Sequence, residues 1–540
     1  MNYRLLSKLL SRITFLIAAT MVFSLPWAHP SLQTDNIRSG GFELGGFFAL
    51  LGSISISLIV GGVFWYFGKT AAGPLYRREA MAIVGLSWIL ATVLGALPYA
   101  LSGTCTGEDS NGDSVLMQPM DWFFEAQSGF STTGATVLEK LEMPGLVPRC
   151  ILFWRSSTHF LGGLGIIVLF VAVLGQGSAG KTLMRSEMPG PSKEGTQARM
   201  QHTALVFASI YCALNVVLTI CLKFCGLSWF DSLCHAFGTL ATGGFSTYDG
   251  SIGGFESVIG TSAALWAEIF IVIFMILAGT NFTLLYFLVV LRKPGKLIAD
   301  VEWRTYMMIV IGVTLLVVVF GYVNQDDGFY TEGNFWGSIG SALRQGGFQV
   351  VSILTTTGYG SATDFDSWNS FGRGVLLLLM FVGGCAGSTG GGMKVIRHVL
   401  FVKILHLELE KSYHLTVVRP LRMGGQPVED QELRKNILVY FGLVLVIFML
   451  SWIVLVTIEP SSTWESRQNG SSEHKLLDSA SAVAATLNNI GPGLGTVGPK
   501  QNYAYFSPAA KLLFTVLMMI GRLEIFVLVV LLLPGFWRSR

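Results

Sequence analysis

Charge is what this chain has least of. Asp, Glu, Lys and Arg make up 13% of its 540 residues, against roughly a quarter in a soluble protein of that length. So small a supply cannot cover the surface of a water-soluble domain. The formal net charge of +3 is too slight to imply a nucleic-acid partner. Catalytic signatures are missing too. There is no HExxH, no GxSxG and no aspartate pair inside an apolar stretch, which disfavours a membrane enzyme. The N-terminus, MNYRLLSKLLSR followed by ITFLIAATMVFSLPWA, has no clear small-x-small cleavage site, and a second apolar run soon follows, so a retained helix is expected. The seven cysteines are odd in number. Cys212, Cys221, Cys234 and Cys385 sit inside apolar runs and read as small core residues. Cys105 and Cys150 fall where they share one face, which leaves a disulfide open.

What the chain has instead is grease. Hydrophobic residues make up 51% and the mean hydropathy is +0.58. Runs near the length that crosses a bilayer as a helix recur throughout. Ten spans are expected, near 11–28, 44–67, 80–101, 151–175, 204–225, 262–291, 306–323, 374–400, 436–457 and 512–534. With the N-terminus in the cytoplasm, the basic residues sort to one side: Lys69, Arg77, Arg78, Lys181, Arg185, Lys193, Arg199, Arg292, Lys293, Lys296, the stretch 394–422, Arg538 and Arg540. The opposite loops, GEDSNGD at 107–113 and NQDDGF at 324–329, are acidic or mixed. This distribution places both termini in the cytoplasm. The basic stretches 181–199 and 394–435 suit anionic lipid or a cytosolic partner, although positive-inside sorting alone accounts for them.

Four connections on the acidic side are too short to cross and too apolar for plain loops: 121–135, 230–244, 336–360 and 476–493. Each ends in a glycine corner: STTG at 131–134, ATGG at 241–244, TTTGYG at 355–360 and NNIGPG at 488–493. Asp121, Asp231 and Asp478 stand twelve or thirteen residues before Gly134, Gly243 and Gly491. That spacing fits a half-membrane helix that enters, turns and returns as extended chain. The corners lie 109, 115 and 133 residues apart, so a unit of helix, half-helix, corner and helix occurs four times after two leading spans. The expected organisation is 1–72 for those leading spans, then units at 73–200, 201–300, 301–425 and 426–540. Irregular backbone at membrane depth is tolerated only where it packs in protein or lines a wet cavity. Four such corners around one axis would turn carbonyls inward and replace the water of a permeating cation. The candidate filter residues are Thr132, Thr133 and Gly134; Ala241, Thr242 and Gly243; Thr356, Thr357 and Gly358; and Asn489, Ile490 and Gly491. Thr133, Thr242 and Thr357 can brace their corners through the hydroxyl, whereas Asn489 and Ile490 make the fourth corner chemically different. A single such corner would read as an interfacial turn; four in register do not.

TTTGYG is one residue away from the potassium-channel signature TVGYG, and the four-unit chain resembles the Trk/Ktr/HKT superfamily of cation transporters. The two leading spans resemble its bacterial Trk branch of TrkH/TrkG-type subunits, and the resemblance covers nearly the whole chain. It implies an all-α integral membrane protein of the inner membrane that takes up potassium. A glycine at every corner accompanies potassium preference in that superfamily, while some plant relatives with Ser at the first corner pass sodium. The resemblance further implies a homodimer on a cytosolic nucleotide-binding ring of the TrkA kind, so NAD or ATP would act through a partner only. Channel-like flow and proton- or sodium-coupled symport both stay open.

The eighth span is interrupted by GGCAGSTGGGMK, 383–394. Its six glycines, Gly383, Gly384, Gly387, Gly390, Gly391 and Gly392, cannot hold a helix at a cost of about 1 kcal/mol each. A phosphate-binding loop is not met, because Met393 intervenes before Lys394 and Val395 stands where Ser or Thr belongs. The expectation is a flexible plug beneath the filter, against a plain packing kink, and the Trk resemblance implies a gating loop here. Arg522, inside the last span, costs at least ~2.5–3.5 kcal/mol unless it faces a cavity and finds carbonyls or an acid. It reads as a lock across the path, with a structural pairing to Glu524 or a neighbouring helix as the alternative. His159 and His235 read as hydrogen-bonded structural histidines before ligands. Arg155 is expected to snorkel, and Asp364 and Asp366 to concentrate cations at a mouth or sit in a solvated loop. An alternating-access transporter would need inverted repeats and carboxylates at mid-span, whereas these units run in one orientation with spans nearly free of Asp and Glu.

Overall fold

A computed structural model describes the whole chain except residues 33–40, 72, 74–75, 109–110, 175–196, 331–334, 415–420, 424–425, 429–430, 466–473, 524 and 539–540. The basic residues Lys181, Arg185 and Lys193, together with Glu524 and Arg540, lie outside the described residues. Two leading helices, α1 (Tyr3–Val22) and α2 (Leu44–Gly68), precede four units. The first is α3 (Arg77–Ser102), α4 (Pro119–Phe130) and α5 (Arg149–Leu174). The second is α6 (Gln197–Phe224), α7 (Trp229–Leu240), α8 (Thr261–Ala278) and α9 (Phe282–Val289). The third is α10 (Val301–Asn324), α11 (Phe335–Leu354), α12 (Ser370–Leu379) and α13 (Val395–Tyr413). The fourth is α14 (Gln431–Ile458), α15 (Lys475–Leu487), α16 (Pro508–Arg522) and α17 (Ile525–Leu531). Two short hairpins, Cys105–Glu108 with Ser114–Leu116 and Leu421–Met423 with Gln426–Val428, are the strands among the described residues.

Among the described residues, seven helices are long and apolar enough to cross a membrane. Their outward faces keep large apolar side chains in the open, as on α14, where Leu445, Leu450 and Ile453 are exposed. Hydrocarbon is the solvent that such a face requires. The half-helices are the reverse. From Phe124 to Phe130, every residue of α4 is buried, so these short helices form the inner layer and the long ones the wall. Their starts are built for it: Pro119 opens α4, Asp121 closes a capping box with Gln118, and Ser228 caps α7 by accepting from the Asp231 N–H.

The expected spans differ from the structure in three places. The first helix begins at Tyr3 and ends at Val22, with a short 3-10 turn following at Leu25–Ala28, so Arg4, Lys8 and Arg12 ride on it. The run 262–291 is not one helix but breaks at Gly279–Asn281, and Asn281 caps the new start by accepting from Thr283. The reason is tertiary, because the carbonyls of Ala278 and Gly279 are taken by Thr389 and Cys385 of the interrupted span. The last span is likewise in two pieces, stopping at Arg522 and resuming at Ile525. Cys105 and Cys150 are separate free thiols.

Candidate functional site

Each half-helix ends in the same backbone device. Thr132, Thr242, Thr356 and Asn489 all take left-handed angles, with φ of 54°, 55°, 59° and 55°. The next residue folds back onto the helix: Thr133 N–H reaches Ser128 O at 2.9 Å, Gly243 reaches Gly238 at 2.8 Å, Thr357 reaches Ser352 at 2.9 Å and Ile490 reaches Ala485 at 2.9 Å. The residue after that is a glycine with positive φ: Gly134 (80°), Gly244 (76°), Gly358 (76°) and Gly491 (98°). Three successive backbone features thus repeat four times.

This register corrects the second corner. By sequence, Ala241, Thr242 and Gly243 are the expected equivalents of Thr132, Thr133 and Gly134, whereas the structure aligns Thr242, Gly243 and Gly244 with them. Ala241 closes α7 as its C-cap instead. With Gly244 as the corner, the acid stands thirteen residues ahead in all three units that have one, and Gln345 fills that position in the third. The half-helix starts use these residues alike. Asp231 accepts from Thr247 Oγ1 at 2.6 Å, Asp478 from Thr496 Oγ1 at 2.8 Å and Gln345 from Thr363 Oγ1 at 3.1 Å, tying helix start to returning strand. Asp121 differs, pairing with Lys511 at 2.5 Å.

The four corners close on one another. A Cβ added to Gly134 would run into the Gly243 carbonyl, one on Gly244 into that of Thr357, one on Gly358 into that of Ile490, and one on Gly491 into that of Thr133. The order is cyclic, first to second to third to fourth to first. A cavity touches all four glycines at once and is bordered beyond them by Glu139, Asp249 and Tyr503. Four peptide carbonyls around a shared opening, with four helix C-termini just behind, form a site of partial negative charge suited to a dehydrated monovalent cation. Thr133 and Thr357 do brace their strands, their hydroxyls meeting Ser131 at 2.7 Å and Thr355 at 2.8 Å. The Thr242 hydroxyl instead donates to its own neighbour, the Ala241 carbonyl.

Below the corners lies the interrupted span. Between α12 and α13 the chain is irregular from Met380 to Lys394, and Gly383 N–H meets Met393 O at 2.7 Å to close its base. Gly391 N–H donates to Thr356 Oγ1 at 2.7 Å. A Cβ on Gly391 would collide with Asn489 at 2.7 Å, and one on Gly390 or Gly392 would sit tightly against the carbonyl of Thr355 at 3.3 Å or of Asn488 at 3.2 Å. The loop therefore sits directly under the third and fourth corners. Gly384 and Gly387 pack against the broken hinge of the second unit at Gly279 and Asn281. Lys394 folds its ammonium onto the carbonyls of Gly390 and Gly391. Arg522 is 8% exposed. Its Nη1 donates to Thr389 O at 2.6 Å and its Nη2 to Gly162 O at 2.9 Å. These two bonds join the loop to α5 of the first unit.

Other readings are revised. Arg155 does not snorkel. It is 2% exposed and pairs with buried Glu125 at 2.6 Å, while Nη1 donates to Ser246 O at 2.9 Å. Glu125 in turn accepts from Thr136 and Val137 on the strand after the first corner. A carboxylate inside the apolar stretch DWFFEAQSGF is the sequence signal for this pair. His235 is structural, held by Asp231 O at 2.8 Å and Ser246 Oγ at 3.0 Å. Asp366 is no open-mouth residue, since it is half-buried and accepts the Gly495 N–H at 2.9 Å. Glu302, unremarked in the sequence, accepts from Ala386 N at 2.7 Å and Ile396 N at 3.1 Å, pinning both sides of the loop.

A single polypeptide that folds four half-helix corners around one opening, inside a wall of apolar helices, defines a pore-loop protein of the membrane. Residues 48–535 match the family model described as "TrkH: Cation transport protein", and the chain belongs to that family. It is 34% identical to the Trk system potassium uptake protein TrkH of Salmonella typhimurium over the full length of both chains. It is 32% identical to the Trk system potassium uptake protein TrkG of Escherichia coli over 90% of both. Among solved structures, the potassium transporter TrkH from Vibrio parahaemolyticus superposes with a TM-score of 0.78 at 31% identity, covering 100% of each chain.

Proposed function

We propose that this chain takes up potassium across a bacterial inner membrane, through a filter of peptide carbonyls at the four corners. The observation that carries the reading is the cyclic contact of Gly134, Gly244, Gly358 and Gly491 with the carbonyls of the neighbouring units. The relatives named as potassium uptake proteins support the choice of ion. Each unit, at 73–200, 201–300, 301–425 and 426–540, supplies one wall of the path, while residues 1–72 flank it. The basic residues of the connecting loops support cytoplasmic termini.

The loop 383–394 acts as the gate and Arg522 as its bolt. The guanidinium beneath the filter repels an approaching cation, and opening requires its bonds to Thr389 and Gly162 to break as the loop withdraws. Cytosolic control comes from a nucleotide-binding ring on which the chain sits as a homodimer. The relatives' designation as parts of a Trk system supports a multi-component assembly.

Purified protein in liposomes tests the reading. Flux of potassium and rubidium is expected to exceed that of sodium and lithium, and to persist without a proton gradient. Equal flux of all four ions overturns the filter. Flux that stops when the proton gradient is removed overturns channel-like passage in favour of coupled symport.

A further inference from the structure

Three of the four filter strands carry a β-branched side chain at the residue before the corner glycine: Thr133, Thr357 and Ile490. The second carries none, because that residue is Gly243. A bare glycine is the conformationally loosest choice at a place where a carbonyl must be held still. Thr133 is anchored by Ser131 and by Asn489 Nδ2 at 2.9 Å, and Thr357 by Thr355, but Gly243 has nothing of its own to offer.

The space is not empty. A Cβ on Gly243 would lie 2.6 Å from Cε1 and Nδ1 of His159, whose ring, fully buried, comes from α5 of the first unit. The same ring stacks on Phe245, two residues past Gly243, with centroids 4.0 Å apart and planes at 17°. One helical turn earlier, the Arg155 guanidinium lies 3.5 Å from the Phe245 centroid and bonds the next carbonyl, Ser246 O. The first unit thus holds the second unit's strand from behind at consecutive points, and His159 stands where the missing side chain would.

We infer that His159 is a positioning residue for ion selection: its ring occupies the volume that Gly243 leaves and holds that carbonyl in the ring of four. The inference rests on the filter reading above and deepens it. It makes the shape at position 159, not its ring nitrogens, the quantity that matters.

Potassium-over-sodium flux ratios in liposomes, on detergent-purified monodisperse protein, test it with four variants. His159→Ala is expected to lower the ratio by about tenfold, the scale of coupling between groups in contact. His159→Phe keeps a flat ring and is expected to restore most of the ratio. Gly243→Thr alone should lose flux, since its side chain enters the His159 ring. His159→Ala combined with Gly243→Thr should recover discrimination beyond the product of the two single effects. A parental ratio in His159→Ala, a His159→Phe as poor as His159→Ala, or a double variant no better than that product overturns the inference. If His159→Ala alone is not monodisperse, the double variant is compared with Gly243→Thr alone, and a double variant no more selective than Gly243→Thr overturns the inference. A parent protein with no potassium preference overturns the filter reading itself, whereas a selective parent with an equally selective His159→Ala overturns only this assignment.

Discussion

Gly134 carries both marks of the repeated corner, a φ of 80° and a neighbour's carbonyl where a Cβ would stand. Gly134→Ser is therefore expected to push the Gly243 carbonyl outward and lower potassium-over-sodium flux by roughly tenfold, from strain on the order of 1–3 kcal/mol. A competition flux assay showing unchanged selectivity counts against the corner geometry. Asp366 makes a different prediction. Burial, reinforced by Asp364 and Asp478, pushes its carboxyl up to about 7. The folded chain then holds this proton more tightly than the unfolded one, so its contribution to stability is present below about pH 4 and is lost as pH rises through about 7. Asp366→Asn should raise the melting temperature in detergent at pH 8 more than at pH 5, and an equal shift at both refutes the buried acid. At this scale, the corners were legible because glycine and a leading acid recur. ATGG offered two glycines, however, and nothing local says that Gly244 takes the positive φ while Gly243 packs against His159, more than eighty residues earlier in the chain.

The loop between α12 and α13 shows what an element needs beyond its own sequence. Its glycines announced that no helix would form, but its fold is set by borrowed groups: Glu302, the Ala278 and Gly279 carbonyls, and Arg522. Those partners lie far away in sequence, and the break they impose on α8–α9 has no local signal except Gly279 and Asn281. Two predictions separate the fasteners. Arg522→Ala should raise basal potassium flux, with a silent variant leaving the bolt unsupported. Glu302→Ala removes the acceptor of two buried N–H groups, at about 1–3 kcal/mol each. It should likewise raise basal flux, while Glu302→Gln, which keeps one acceptor oxygen, should do so less. Matched flux in parent and Glu302→Ala would show that the loop is held elsewhere.

Across the whole molecule, the chain is closed into a ring by contacts between its first and last units. Lys511 meets Asp121, Asn489 meets Thr133, and Tyr503 N–H meets Thr136 O at 2.8 Å. Lys511 and Asp121 are 7% and 4% exposed, so removing one partner strands the other as a buried charge. Asp121→Asn or Lys511→Met alone should cost about 3–5 kcal/mol, and the double replacement much less. Melting temperatures of the three variants check this; strictly additive losses would mean the pair is not coupled. The four-fold repeat was readable from spacing, yet which unit touches which was not, because contacts between units leave no periodic trace along a chain. That closure also bears on biosynthesis. As the ribosome releases the protein from its N-terminus, three quarters of the opening is made before α15 and α16 emerge, with its polar lining unshielded on the side where they belong. Until those last helices dock, the ring of four corners stays open on one side, so a shortened chain is an unfinished wall.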